Sequence, residues 1–73
     1  MSKPSKVVLD YLMENVDLTN SETLIDRLQE ISEFYATVPS EVIEANKKLT
    51  AAEKWELIRH VAAKGKSKMW IVE

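Results

Sequence analysis

One residue of this sequence, His60, could act as a general acid or base near neutral pH. A catalytic histidine needs a nucleophile and an orienting group within reach. On a helical wheel His60 lies on the polar side of the last predicted helix, one turn after Glu56, with which it can pair. This pattern favours an ordinary surface histidine over a catalytic one.

Other signatures of catalysis are also missing from the sequence. It contains no phosphate-binding glycine loop, nucleophile elbow, zinc motif or calcium loop. With no cysteine and a single histidine, it offers no regular set of metal ligands. We therefore expect a protein that is not an enzyme and that uses no cofactor, metal ion or small-molecule substrate.

Charge is unevenly distributed along the chain. Residues 7–46 hold nine acids and one base, whereas residues 47–68 hold seven bases and two acids. The formal net charge of −2 therefore conceals an acidic first part and a basic second part.

The acidic part contains the residues that we predict to bind a protein partner. Four carboxylates at helical spacing line one face of the second predicted helix: Glu22, Asp26, Glu30 and Glu33. Such a face either keeps a small protein in solution or presents negative charge to a partner, as a phosphate mimic does. Tyr11 and Trp70 complete the predicted set, since aromatic residues are common interface anchors. Trp70 could instead pack on its own bundle.

The basic part predicts an alternative function, nucleic-acid binding. Five lysines could contact phosphate groups: Lys47, Lys48, Lys64, Lys66 and Lys68. The third and fourth predicted helices are joined by almost no loop, as in a helix-turn-helix. Against this alternative, the first turn of the fourth helix contains Glu53, which would repel phosphate. Lysines near helix ends also complement the helix dipole without any partner.

Hydrophobic periodicity predicts the elements that must position these residues. It indicates an all-α protein, a compact bundle of four short helices over about residues 6–16, 20–37, 39–48 and 51–64, with a C-terminal extended or strand-like segment. The second helix has the clearest apolar stripe, so we expect it to be central. Trp55 is predicted to face the core, while Val7, Tyr11 and Leu57 are left over as apolar residues outside it.

Local signals place the ends of these helices. Thr19 with Glu22 and Thr50 with Glu53 have the spacing of capping boxes. Gly65 is the expected left-handed stop of the fourth helix. We expect one domain over residues 1–73, with a polar leader at 1–5 and an apolar-containing tail at 66–73.

No signal peptide and no apolar run of about 20 residues is present. We expect a complete, soluble, cytoplasmic protein that does not enter a membrane. The predicted function is a small interaction module, a regulator or inhibitor that binds another protein, including a second copy of itself as a homodimer. Nucleic-acid binding is the alternative.

Overall fold

The computed structural model describes the backbone of residues 1–72 and the side chains of residues 1–68. The predicted all-α bundle is confirmed. Over the described backbone the elements are four helices and no strand: α1 (Lys3–Asn15), α2 (Glu22–Ser32), α3 (Ser40–Lys47) and α4 (Ala51–Val72). None of these helices combines the length and the apolar character that crossing a membrane requires.

The central helix of the bundle is α1, not α2 as the sequence predicted. α1 packs most extensively against α3 and then α4, whereas α2 makes smaller contacts with α1 and α3. Val8 and Leu12, one turn apart on α1, are buried, and Leu12 has no exposed surface. Side chains from every helix and from the loops after α2 and α3 complete the core: Ile31, Val38, Val42, Ala45, Leu49, Leu57 and Val61.

Residues 3–5, which the sequence placed in a polar leader, belong to α1. Ser2 is the N-cap, and its Oγ accepts a hydrogen bond from the Ser5 amide at 3.3 Å. Pro4 sits in the first turn, where its missing N–H costs nothing. Ser5 is buried, with 2% of its surface exposed. The start of the chain is therefore part of the bundle.

Helix α2 ends at Ser32, several residues before the predicted end at residue 37. Phe34 adopts a left-handed backbone conformation with φ of 58°. The Tyr35 amide donates to the Glu30 carbonyl at 3.0 Å, and the Phe34 amide donates to the Ile31 carbonyl at 3.3 Å. These two bonds form a Schellman motif, which ends a helix and is usually built on glycine.

Helix α4 continues to Val72, so the predicted end at residue 64 and the strand-like tail are wrong over the described backbone. Gly65 does not have a positive φ. A Cβ at Gly65 would lie 3.3 Å from the Leu18 carbonyl oxygen, so glycine here permits close approach of α4 to the α1–α2 loop. A helical glycine with this packing role gives the same sequence signal as a stop.

One of the two predicted capping boxes is confirmed. The Thr50 amide donates to Glu53 Oε1 at 2.9 Å, and the Glu53 amide donates to Thr50 Oγ1 at 3.1 Å. At α2 the predicted Thr19–Glu22 box does not form. Thr19 instead donates to Asp17 Oδ1, and the Glu22 amide donates to Asn20 Oδ1 at 3.1 Å.

Candidate protein-interaction site

The outer face of α4 carries the most exposed large apolar side chain among the described residues, Trp55, at 71% of its surface. The prediction that Trp55 faces the core is wrong. Leu57 and Val61, one turn apart, are the α4 residues that enter the core. Since successive residues on a helix are separated by about 100°, Trp55 points away from this pair.

Small and basic residues surround Trp55 on that outer face. Ala52, Arg59 and Ala63 follow helical spacing around it, and Lys66 continues the same side one turn further on. All of these side chains are exposed. A shallow groove runs along this surface, and its lining is Met1, Ala52, Trp55, Glu56, Arg59, His60 and Ala63. We refer to this groove with Lys66 as the α4 face.

The Glu53 carboxylate fixes the start of α4 against the start of α1. Besides its capping bond, Glu53 Oε2 accepts hydrogen bonds from the Ser2 hydroxyl at 2.6 Å and from the Ser5 hydroxyl at 3.3 Å. The Ser2 hydrogen bond, followed by that from the Thr50 amide, lowers the pKa of Glu53. Met1 lines the same groove as Trp55, and the Glu53 carboxylate is hydrogen-bonded to the start of α1.

The exposed position of His60 agrees with the helical wheel. It shares the groove with Glu56 and Arg59, and its neighbours there are alanines, Trp55 and Met1 rather than a hydroxyl or thiol. Among the side chains that the structure describes, no group of three histidine or acidic residues could hold a metal ion. The α4 face presents one exposed aromatic side chain with basic groups beside it.

A second groove lies between α1 and α3 and contains the predicted interface residue Tyr11. Its apolar lining comes from Val7, Tyr11, Pro39 and Val42, and three carboxylates, Asp10, Glu14 and Glu41, stand around it. The three acidic side chains are exposed, whereas Val42 belongs to the core. We call this the α1–α3 groove.

The four predicted acids, of which three lie on α2 and Glu33 is its C-cap, are not part of this groove lining. Glu22, Asp26 and Glu33 are exposed, but Glu30 is half-buried and forms an ion pair with Arg27, with N–O distances of 2.9 and 3.0 Å. Tyr11 therefore lines a groove with three carboxylates that are not in the predicted interface set. Trp70, the sixth predicted residue, lies outside the described side chains.

The structure does not gather the five lysines of the nucleic-acid alternative onto one surface. Lys47, in the last turn of α3, pairs with Glu44 at 3.1 Å, and its Nζ lies 5.2 Å from the centre of the Phe34 ring. Lys48 is the C-cap of α3. On α4, Lys64 is about 160° around the helix from Lys66.

Lys68 of that set lies close enough to Asp17 for its charge to act there. The hydrogen bonds from Thr19 are the main cause of the lowered pKa of Asp17, and the positive charge of Lys68 adds a smaller effect. Asp17 lines an apolar groove between the α1–α2 loop and α4, together with Val16, Leu18, Leu24, Val61, Gly65 and Lys66.

No protein-family model matches this chain, and the comparisons with curated proteins and with solved structures found no match. Functional inference therefore depends on the surfaces described above.

Proposed function

We propose that this chain is a non-enzymatic interaction module, a cytoplasmic regulator or inhibitor that acts by binding another protein through the α4 face. The observation that carries the proposal is the exposure of Trp55 on a well-anchored helix. Tryptophan and arginine are enriched among the residues that dominate binding energy in protein interfaces. Trp55 and Arg59 lie side by side in one groove of this face.

The anchoring of α4 supports the same proposal. Leu57 and Val61 fix the helix in the core, and Glu53 joins its first turn to Ser2 and Ser5. A rigid helix loses little conformational entropy when a partner binds, so more of the contact energy contributes to affinity. The module is therefore expected to bind as a preformed surface.

The direct test is affinity capture from cells of the source organism, using a chain tagged at its C-terminus because Met1 lines the groove. Trp55→Ala should raise the Kd for a specific partner about 30-fold, which corresponds to the roughly 2 kcal/mol of a hot-spot residue, and should therefore lower the recovery of that partner. Its melting temperature should stay close to that of the wild type, because the ring is exposed.

Tyr35→Ala is the matched control. Tyr35 is also an exposed aromatic residue, at 47% of its surface, but it lies after α2, away from the α4 face. It should leave recovery unchanged. Equal recovery with the wild type and with Trp55→Ala would contradict binding through the α4 face.

A second candidate function, nucleic-acid binding, is favoured by one observation. Glu53, which the sequence placed as a repulsive group at the start of α4, is hydrogen-bonded toward α1. Trp55 could stack on a base while Arg59 and Lys66 contact phosphate. A shift assay with a single-stranded oligonucleotide at about 0.05 M and about 0.2 M salt tests this function, because phosphate contacts weaken steeply with salt. If no binding is detected at the lower salt concentration, nucleic-acid binding is excluded.

A further inference from the structure

We propose that the α4 face of one copy docks into the α1–α3 groove of a second copy of this chain. The inference rests on the proposed function and names the partner for the same surface. One element of the contact is Trp55, which projects from α4 with most of its ring in solvent. The other is a groove whose apolar lining includes Val7 and Tyr11. A projecting aromatic side chain that packs against apolar side chains is a common centre of a tight interface.

The charges of the two surfaces are complementary. The α4 face carries Arg59 and Lys66 beside a single carboxylate, Glu56, because Glu53 is turned toward α1. The α1–α3 groove carries three exposed carboxylates and no basic side chain in its lining. Complementary potentials steer encounter and fix the orientation of two surfaces, whereas like charges brought together are repelled.

None of the three groove carboxylates forms an ion pair within the part of the chain that the structure describes. The two ion pairs found there are Arg27–Glu30 and Lys47–Glu44, on α2 and α3. Arg59 and Lys66 are likewise outside both pairs, although Lys66 also lines the groove that contains Asp17. Since exposed charges are only weakly bound to anything in the monomer, docking would not require an existing ion pair to break.

The contact joins two different surfaces, and it is isologous if it forms reciprocally in a two-fold pair and heterologous if it forms head to tail. Each copy offers one α4 face and one groove, so the same contact can form twice in a pair or continue to further copies. The observable prediction is common to both arrangements. The average mass should rise with concentration, and the rise should be smaller in about 1 M salt, where the Debye length falls from about 10 Å to about 3 Å.

The decisive experiment uses two charge-reversed full-length variants in sedimentation velocity, between about 10 μM and about 1 mM chain. The first, Arg59→Glu with Lys66→Glu, makes the α4 face acidic. The second, Asp10→Lys with Glu14→Lys, makes the groove basic. Each variant alone should show at least about tenfold weaker association than the wild type, since like charges now face each other. Their equimolar mixture should associate again, because each variant restores the opposite charge for the other.

Glu22→Lys with Asp26→Lys is the control for net charge. It makes the same change in charge as the groove variant, but on exposed acids of α2 outside the groove lining. It should associate like the wild type. Circular dichroism of all variants checks that the helices are intact.

A wild-type chain that keeps the mass of one copy throughout this range, or a mixture that associates no better than its components, would overturn self-docking. Those results leave the proposed function to its own assay, since Trp55-dependent capture of a different protein can still occur. Conversely, restored association in the mixture together with loss of association in Trp55→Ala would identify the second copy as the partner.

Discussion

The left-handed residue at the end of α2 provides the sharpest test of the fold. Phe34 has φ of 58°, a conformation that costs a residue with a Cβ about 1–2 kcal/mol relative to glycine. Glycine loses about 0.5 kcal/mol more backbone entropy on folding, so Phe34→Gly should be more stable than Phe34→Ala by about 0.5–1.5 kcal/mol. Both variants lack the ring, and their difference therefore isolates the backbone.

The wild type should lie near the glycine variant, because the Phe34 ring also contacts Lys47, with the ammonium 5.2 Å from the ring centre. An exposed cation–π contact contributes about 0.5–1 kcal/mol, which partly offsets the backbone cost. Thermal melts followed by circular dichroism give the measurement, since 1 kcal/mol shifts the melting temperature of a domain this small by about 4–8 °C. If Phe34→Ala proved as stable as Phe34→Gly, α2 would not end in the Schellman motif described here.

Three further predictions concern the core and the first turn of α4. Leu12→Ala should cost about 2–5 kcal/mol in urea unfolding, and the half-buried Leu28→Ala should cost less; the reverse order would place α2 at the centre. Thr50→Ala should cost about 1 kcal/mol and Thr50→Asn much less, and equal losses in the same assay would contradict the cap. The hydrogen bond from Ser2 lowers the folded-state pKa of Glu53, so its stabilising effect is present above the ordinary carboxyl pKa of about 4.3 and is lost as the pH falls through the lowered value. Urea midpoints of the wild type and Glu53→Gln should therefore differ more at about pH 7 than at about pH 2, and a pH-independent difference would refute this reasoning.

Structural features that depend on residues close together in the chain could be predicted from the sequence. The Thr50–Glu53 cap was predictable because both hydrogen bonds join positions three residues apart. The end of α2 was not, because nothing marks a phenylalanine as left-handed when glycine or asparagine normally fills that position. Gly65 was wrongly predicted to end α4. Glycine is needed there because the Leu18 carbonyl approaches closely, and this tertiary contact cannot be seen in the sequence.

The candidate site was missed for a related reason. In α4 the periodicity predicted one inner face that contains Trp55, Ile58 and Val61, and it left Leu57 outside that face. The large Trp55 ring favoured this choice, but the structure buries Leu57 together with Val61 and leaves Trp55 exposed, so only the Val61 part of the prediction is confirmed. The contact of Glu53 with Ser2 spans 51 residues of sequence, so periodicity cannot reveal it.

The position of α1 at the centre of the bundle has a consequence for synthesis of the chain. Leu12 is made early, but Leu57 and Val61, which help to enclose the core on the α4 side, follow about 50 residues later. At translation rates of about 5–20 residues per second, Leu57 and Val61 are synthesised roughly 2–10 s after Leu12, and the apolar side of α1 lacks these contacts until then. During that interval no native core can close. Chains truncated before Leu57 should therefore remain unfolded and prone to aggregate rather than forming a smaller stable bundle.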